Sequence, residues 1–361
     1  MMLADTCQVA IGKVLSKFSN ENSLSKNRND SKKNKKKNDE TMLIGRSRAG
    51  DATAFAIPSL RWMLDCGAII QGWTPKVIFL THAHSDHVHF LSHFLVKNID
   101  NSTSPPTVYL PKESLPYVKA HLEAYKAMIS CGISGEDEDD PMDINLDDYL
   151  HPLNPKDEFI IHQAGANKFR VRALQMHHRV PCLGYSMFRI RSKLKQEFVG
   201  LSAQEIGQLK RNGIEITVEE EEPFLCFLGD TTVKVFEYHP EILQQHHTVV
   251  TECSFLDTAS YQRAIQTTHM HWDDLQPHVA SHPDTMFLLT HFSLKYPTLS
   301  IRQLFRNAQF FYRNVHPMLI EREIDEQWAK SVDEQDKEEV PPKCLCRICS
   351  AALVPHEAAS R

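Results

Sequence analysis

Residues 77–90 read VIFLTHAHSDHVHF. Four apolar residues, Val77 to Leu80, run directly into His82, His84, Asp86 and His87. A satisfied core histidine accounts for one such residue, and a surface cluster for two. Neither accounts for the alternation H-x-H-x-D-H behind a buried strand. Residues i and i+2 of an extended loop point the same way, so His82 and His84 can hold one cation. Asp86 and His87 follow one turn later and can hold a second. Imidazole mixed with carboxylate suits Zn²⁺, and Mn²⁺ accepts the same donors.

Two ions need more ligands, with a carboxylate as the usual bridge. Asp230 in LGDTT is well placed, because Gly229 before it lets the backbone approach closely. His178 in HHRVPCLGY and His291 in LLTHFS complete two sets. One is His82, His84, His178 and Asp230. The other is Asp86, His87, Asp230 and His291. Four strand-like runs each end on polar residues: VIFL before THAHSDH, FLCFL before GDT, TVV before TE, and MFLL before THFS. Sites in layered α/β proteins collect at strand ends, so these loops are expected to converge.

Around these runs the pattern alternates strands with helices, which indicates an α/β layered fold. Residues 53–65 and 75–81 read as strands, 112–130 as a helix, and EFIIHQA, KFRVRALQM and GYSMFRI as short strands. Residues 201–213 read as a helix with Ser202 and Glu205 as a capping box and Gly213 past its end. Residues 299–315 read as a further helix. Residues 1–41 form a Lys/Asn-rich extension expected to be disordered, and 321–361 an acidic tail of the same kind. The folded domain is placed at 42–320.

The net charge of −6 argues against nucleic acid until it is localised. Residues 136–148, 219–222 and 321–339 together hold 21 of the 46 acids. Without them and the basic tail 26–37, the chain has 24 acids and 30 bases. A moderately basic body with detachable acidic loops is compatible with an anionic substrate. The nine cysteines are odd in number and mostly in apolar context, which fits a reducing compartment better than a disulfide framework. No apolar run reaches the roughly 18 residues of a membrane span, so no membrane partner is expected. CLCRIC (344–349) with His356 looks like half a zinc knuckle and is read as a thiol-bearing tail. His239, His246, His247, His278 and His282 are read as surface or packing residues.

The order H-x-H-x-D-H, lone His, G-D and final His resembles the metallo-β-lactamase fold, an αββα sandwich of two β-sheets flanked by helices. HHRVPCLGY, KLKQEFVGLSAQEIGQLKRNGIEIT, TECSFLD, THMHWDDL and LLTHFSLKY are similar to the tRNase Z (ribonuclease Z) family, in its short plant-type form. The likeness covers roughly residues 42–315. It implies a zinc-dependent endoribonuclease that removes 3′ trailers from precursor tRNA, with two Zn²⁺ per subunit and a 3′-OH left on the tRNA. It implies homodimers, and it places Glu252 and His269 near the leaving group, with Asp86 also orienting the attacking water. His271, two residues on, competes with His269 for that role.

Two departures matter. The family's P-x-K-x-R-N loop, which discriminates against CCA ends, is absent from IGRSRAGDATAFAIPS (44–59). The interval for the tRNA-gripping arm is short and lacks a Gly/Pro tip. That reduced arm, 189–223, carries Arg189, Arg191, Lys193, Lys195, Lys210 and Arg211 as candidate phosphate contacts. After the ligand motif, VHFLSHF puts His89 and His93 where the family has small residues. The alternatives are a hydrolase of a small thioester, lactone or phosphodiester on the same fold, and a non-catalytic RNA-binding protein. Lys-rich SKKNKKKN (31–38) points to nucleus or cytoplasm, and residues 1–18 keep a mitochondrion or plastid open.

Overall fold

The computed structural model describes residues 7–11, 41–70, 73–96, 104–130, 144–163, 167–308 and 312–320. The basic run 26–37, most of the acidic segment 136–148, and CLCRIC with His356 lie outside the described residues.

The first sheet holds β1 (Cys7–Ile11), β2 (Thr41–Ala49), β3 (Ala52–Ile57), β4 (Trp62–Leu64), β5 (Val77–Phe79), β6 (Thr107–Pro111) and β7 (Leu150–Leu153), in that spatial order. The second holds β8 (Glu158–His162), β9 (Lys168–Gln175), β10 (Leu183–Leu194), β11 (Thr217–Phe227), β12 (Thr248–Glu252) and β13 (Met286–Thr290). The short strand β14 (Phe292–Ser293) pairs with β2, and β15 (Val315–Pro317) closes the second sheet beside β13. In both sheets antiparallel pairing gives way to parallel pairing: at β4–β5 in the first, at β11–β12 in the second.

Period-2 alternation sorts each strand's side chains into layers. On β5, Val77 and Phe79 pack between the sheets, while Ile78 and Leu80 pack under helix Leu91–Leu95 and helix Leu115–Ile129. On β13, Met286 and Leu288 face the other sheet, while Phe287 and Leu289 face helix Trp272–Ser281 and helix Thr298–Ala308. Both faces of these strands are covered, so they read as continuous apolar runs rather than alternating ones. Trp62 is the hinge pin of the inter-sheet layer, edge-on to Phe79 at 5.2 Å and to Phe169 of the opposite sheet at 4.8 Å. The chain is thus an αββα sandwich. Among the described residues no helix is long and apolar enough to cross a membrane.

The structure departs from the sequence reading in four places. The run 53–65 is two strands, because Pro58 opens a 3-10 turn and Arg61 takes a left-handed φ of 54°. Cys7–Ile11, inside the extension read as disordered, pairs antiparallel with β2. Glu219–Glu222 belong to strand β11 rather than to a loop. Helix Thr298–Ala308 stops short of residue 315. The capping box at Ser202 and Glu205 is present as read.

Candidate metal centre and acid pair

Parallel neighbours end on one edge, and that edge collects the site. β4 ends before Asp65, β5 before the histidine motif, β11 before Asp230, β12 on Glu252 and β13 before His291. His178 sits on the loop entering β10, which is antiparallel to β11 and so opens on the same edge.

The seven ligand candidates come together. Donor atoms of His82, His84, His178 and Asp230 all lie within 4.8 Å of one another, and so do those of Asp86, His87 and His291. Asp230 joins the two groups. Its Oδ2 is 3.6 Å from His82 Nε2, and its Oδ1 is 3.4 Å from the Nε2 atoms of both His87 and His291. A Cβ at Gly229 would stand 2.7 Å from the Thr81 side chain, which is why glycine precedes this aspartate.

Outer partners fix which ring nitrogens face inward. Asp65 Oδ1 accepts from the Thr81 backbone N–H at 2.7 Å, and its Oδ2 from the Thr81 hydroxyl at 2.9 Å. With its proton spent there, Thr81 Oγ1 accepts from His82 Nδ1 at 3.0 Å. Asp65 Oδ2 also accepts from His87 Nδ1 at 2.8 Å. His178 Nδ1 donates to the Thr268 carbonyl at 3.2 Å. Ser254 Oγ donates to Glu252 Oε2 at 2.6 Å and so accepts from His291 Nδ1 at 2.9 Å. The Nε2 lone pairs of His82, His87, His178 and His291 are therefore left pointing into the cluster. Converging imidazole lone pairs beside carboxylates and without donors fit divalent cations, with the outer hydrogen bonds usual for such sites.

Electrostatics agree. Burial works to raise Asp230, but His291, His87, His82 and His269 outweigh it and hold the carboxyl well below its ordinary range. Burial opposes charge on His87, yet Asp230 and Asp65 push it up to about 9. Burial, then neighbouring His178, lowers His84 to about 4. Burial thus keeps His82 and His84 neutral, while the carboxylates around His87 favour positive charge at the centre.

Backbone strain also gathers here. Asp65, Thr268 and His291 are non-glycine residues with φ of 55°, 55° and 59°. Such conformations persist where surrounding contacts over-determine them. For His291 those contacts come from the β2–β3 hairpin. Ser47 Oγ accepts its N–H at 3.0 Å, and buried Arg48 donates to the carbonyls of Phe292, Ser293 and Tyr296. From the same hairpin Gly50 N–H donates to Asp86 Oδ2 at 2.8 Å.

Beside the cluster, Glu252 has all its acceptor sites filled, by Thr231 N–H, Met270 N–H, Ser254 Oγ and His269 Nδ1, the last at 2.8 Å. Burial lowers the His269 pKa, but Glu252 and Asp230 raise it more, to about 9. His271 is occupied elsewhere. Its Nε2 donates to the Asp257 carbonyl at 2.9 Å and its Nδ1 accepts from Asp273 N–H at 3.1 Å, capping the helix it precedes. His269 alone of the two faces Asp230, at 3.8 Å. Asp65, Thr81, Ser254 and the Ser47–Gly50 hairpin were not singled out in the sequence. Asp65 carried a signal, since MLDCG is one more buried run ending on an acid.

No family model matches the chain. It is 30% identical over 267 residues to tRNase Z TRZ1 of Arabidopsis thaliana, across 72% of this chain and 88% of that protein. The chain belongs to the tRNase Z family. A second Arabidopsis thaliana relative, the chloroplastic tRNase Z TRZ2, is 27% identical over 264 residues, covering 72% of this chain and 70% of that protein. The nuclear ribonuclease Z of Triticum aestivum is 29% identical over 174 residues, 48% of this chain and 89% of that protein. The crystal structure of the short form of human tRNase Z aligns at a TM-score of 0.45 with 16% identity, over 76% of this chain and 94% of that one.

In this tRNase Z chain the stretch 189–223, read in the sequence as a reduced arm, is the outer half of the β10–β11 ribbon with helix Ala203–Arg211 at its tip. The glutamates of β11 face its cations. Arg191 pairs with Glu222 at 3.2 Å and Lys193 with Glu220 at 2.7 Å, while Arg170 and Lys168 of β9 pair with Glu221 and Glu219. Arg189 lies over the rings of Phe169 and Phe224. Among the described residues no carboxylate lies within ion-pair distance of Lys195, Lys210 or Arg211, which sit towards the tip.

Proposed function

We propose that this chain is a 3′-end tRNA-processing endoribonuclease that binds two divalent cations, Zn²⁺ or Mn²⁺. His82, His84, His178 and Asp230 would hold one ion, and Asp86, His87, Asp230 and His291 the other. When bound, such ions supply a water acidified towards pKa ~7 and neutralise charge on the phosphoryl oxygens. The chain's own residues do the rest. Asp86, at the rim of the second set, orients the attacking water. His269, kept charged by Glu252, gives its proton to the leaving 3′ oxygen, so the tRNA ends in a 3′-OH.

The observation that carries this reading is the 2.8 Å Glu252–His269 pair set beside the bridging Asp230. A thioester expels a thiolate, which has less need of a charged imidazole than a leaving alkoxide has. Names of relatives support the RNA substrate, and Lys195, Lys210 and Arg211 are the arm cations best placed to meet its phosphates. Residues 42–320 with β1 form the catalytic domain of this proposal, acting as a homodimer in nucleus or cytoplasm. Turnover of a precursor tRNA, a small phosphodiester and a thioester by the purified protein tests it. RNA cleavage lost in His84→Ala is the expected result. Turnover of only the small substrates favours the general hydrolase, and binding without turnover the non-catalytic protein.

A further inference from the structure

Next to the ligand loop lies an open groove of about 610 Å³, inside the ~300–1,000 Å³ range of pockets that take small ligands. Ala83 and Ser85, the neighbours of His84 in the chain, are among its lining residues. Phe90, His93, Tyr117 and His121 stand along it, contributed by the segment after the ligand motif and by helix Leu115–Ile129. Tyr117 is 76% exposed, and nothing in the fold needs its ring there.

We infer that this groove is a stacking site for unpaired RNA bases on the trailer side of the cut. The inference rests on the endoribonuclease reading above. Its chemistry is that of single-strand recognition, where bases are splayed onto Phe, Tyr and His faces without sequence readout. Continuity with the ligand loop gives the occupant. A phosphodiester centred on the two ligand sets must send nucleosides away on both sides. His269, donor to the 3′ oxygen, is carried by the second sheet, as is the ribbon with the tip cations. The tRNA body therefore lies on that side. The groove belongs to the first sheet's helices, so the strand beyond the cut passes over it. VHFLSHF supplies half of its rings, which gives that bulky stretch a purpose.

The test is binding of a 5′-phosphorylated single-stranded hexaribonucleotide, the released trailer, followed by fluorescence anisotropy. Tyr117→Ala and His121→Ala change exposed side chains and leave the metal set intact. Each is expected to weaken binding about tenfold, with turnover of a small phosphodiester and the oligomeric state unchanged. Unaltered affinity in both variants, or no binding by the unmodified protein, overturns the groove. A shift from dimer to monomer in either variant also overturns it, because the occupant is then a second copy. Retained, variant-sensitive binding with no cleavage of precursor tRNA leaves the groove standing and contradicts only the endoribonuclease reading.

Discussion

Asp65 Oδ2 accepts the Nδ1 proton of His87 over 2.8 Å, both residues fully buried. This carboxylate sets the tautomer of one imidazole directly and of a second, His82, through Thr81. Asp65→Asn should therefore weaken metal binding by about 10–100-fold, the usual cost of losing an outer partner. Calorimetric titration of metal into chelator-treated protein measures it, and unchanged affinity contradicts this role.

Ser254 links Glu252 to His291 with a single hydroxyl. Ser254→Ala removes a donor from the carboxylate and the acceptor that orients the ring. The expected loss is in metal affinity at the second set more than at the first. Stepwise cadmium binding, read by NMR or by competition with a chromophoric chelator, separates the two steps. Equal weakening of both would contradict the assignment.

His269 titrates near 9 because Glu252 and Asp230 overcome the effect of burial. As a general acid it works in its protonated form, so kcat should fall as pH rises through about 9. Glu252→Gln removes the larger of the two favourable charges. The alkaline limb should then move to lower pH, along with a fall in kcat of the order of 10²–10⁴, the usual size of general acid catalysis. A limb that stays in place means that His269 is not the acid.

Away from the site, buried His246 shares a hydrogen bond with Ser186 Oγ (2.7 Å) and lies tilted against Phe188, and among the described residues its Nδ1 has no hydrogen-bond partner. Burial lowers its pKa to about 4. Its folded pKa thus lies below the unfolded value near 6.5, and the unfolded chain binds the extra proton between them. Stability should fall as pH drops from about 6.5 to 4, by about 3 kcal/mol from this group. Denaturant unfolding of His246→Gln should show a shallower dependence over that interval than the unmodified protein.

Much of this was legible because buried parallel strands leave continuous apolar runs that end abruptly on their functional residues. VIFL, FLCFL, TVV and MFLL each marked a strand and an edge, and all seven ligand candidates fell at such ends or in HHRVPCLGY. What stayed hidden depends on contacts distant in sequence. Nothing local in Ser254 says that it touches His291, and Arg48 grips carbonyls some 244 positions away. The ion pairs of the ribbon stayed hidden for a related reason. A basic run and EEEE look separate along the chain, yet antiparallel register puts Arg191 opposite Glu220 and Lys193 opposite Val218, beside the glutamates that pair with them.

The most direct test of the central claim is to map the ends released from a precursor tRNA that carries a 3′ trailer. The expected result is one cut after the discriminator nucleotide, a 3′-OH on the tRNA, a 5′-phosphate on the trailer, and loss of the cut in His84→Ala. A 3′-phosphate on the tRNA, scattered cuts, or an intact precursor beside active hydrolysis of small esters would contradict it.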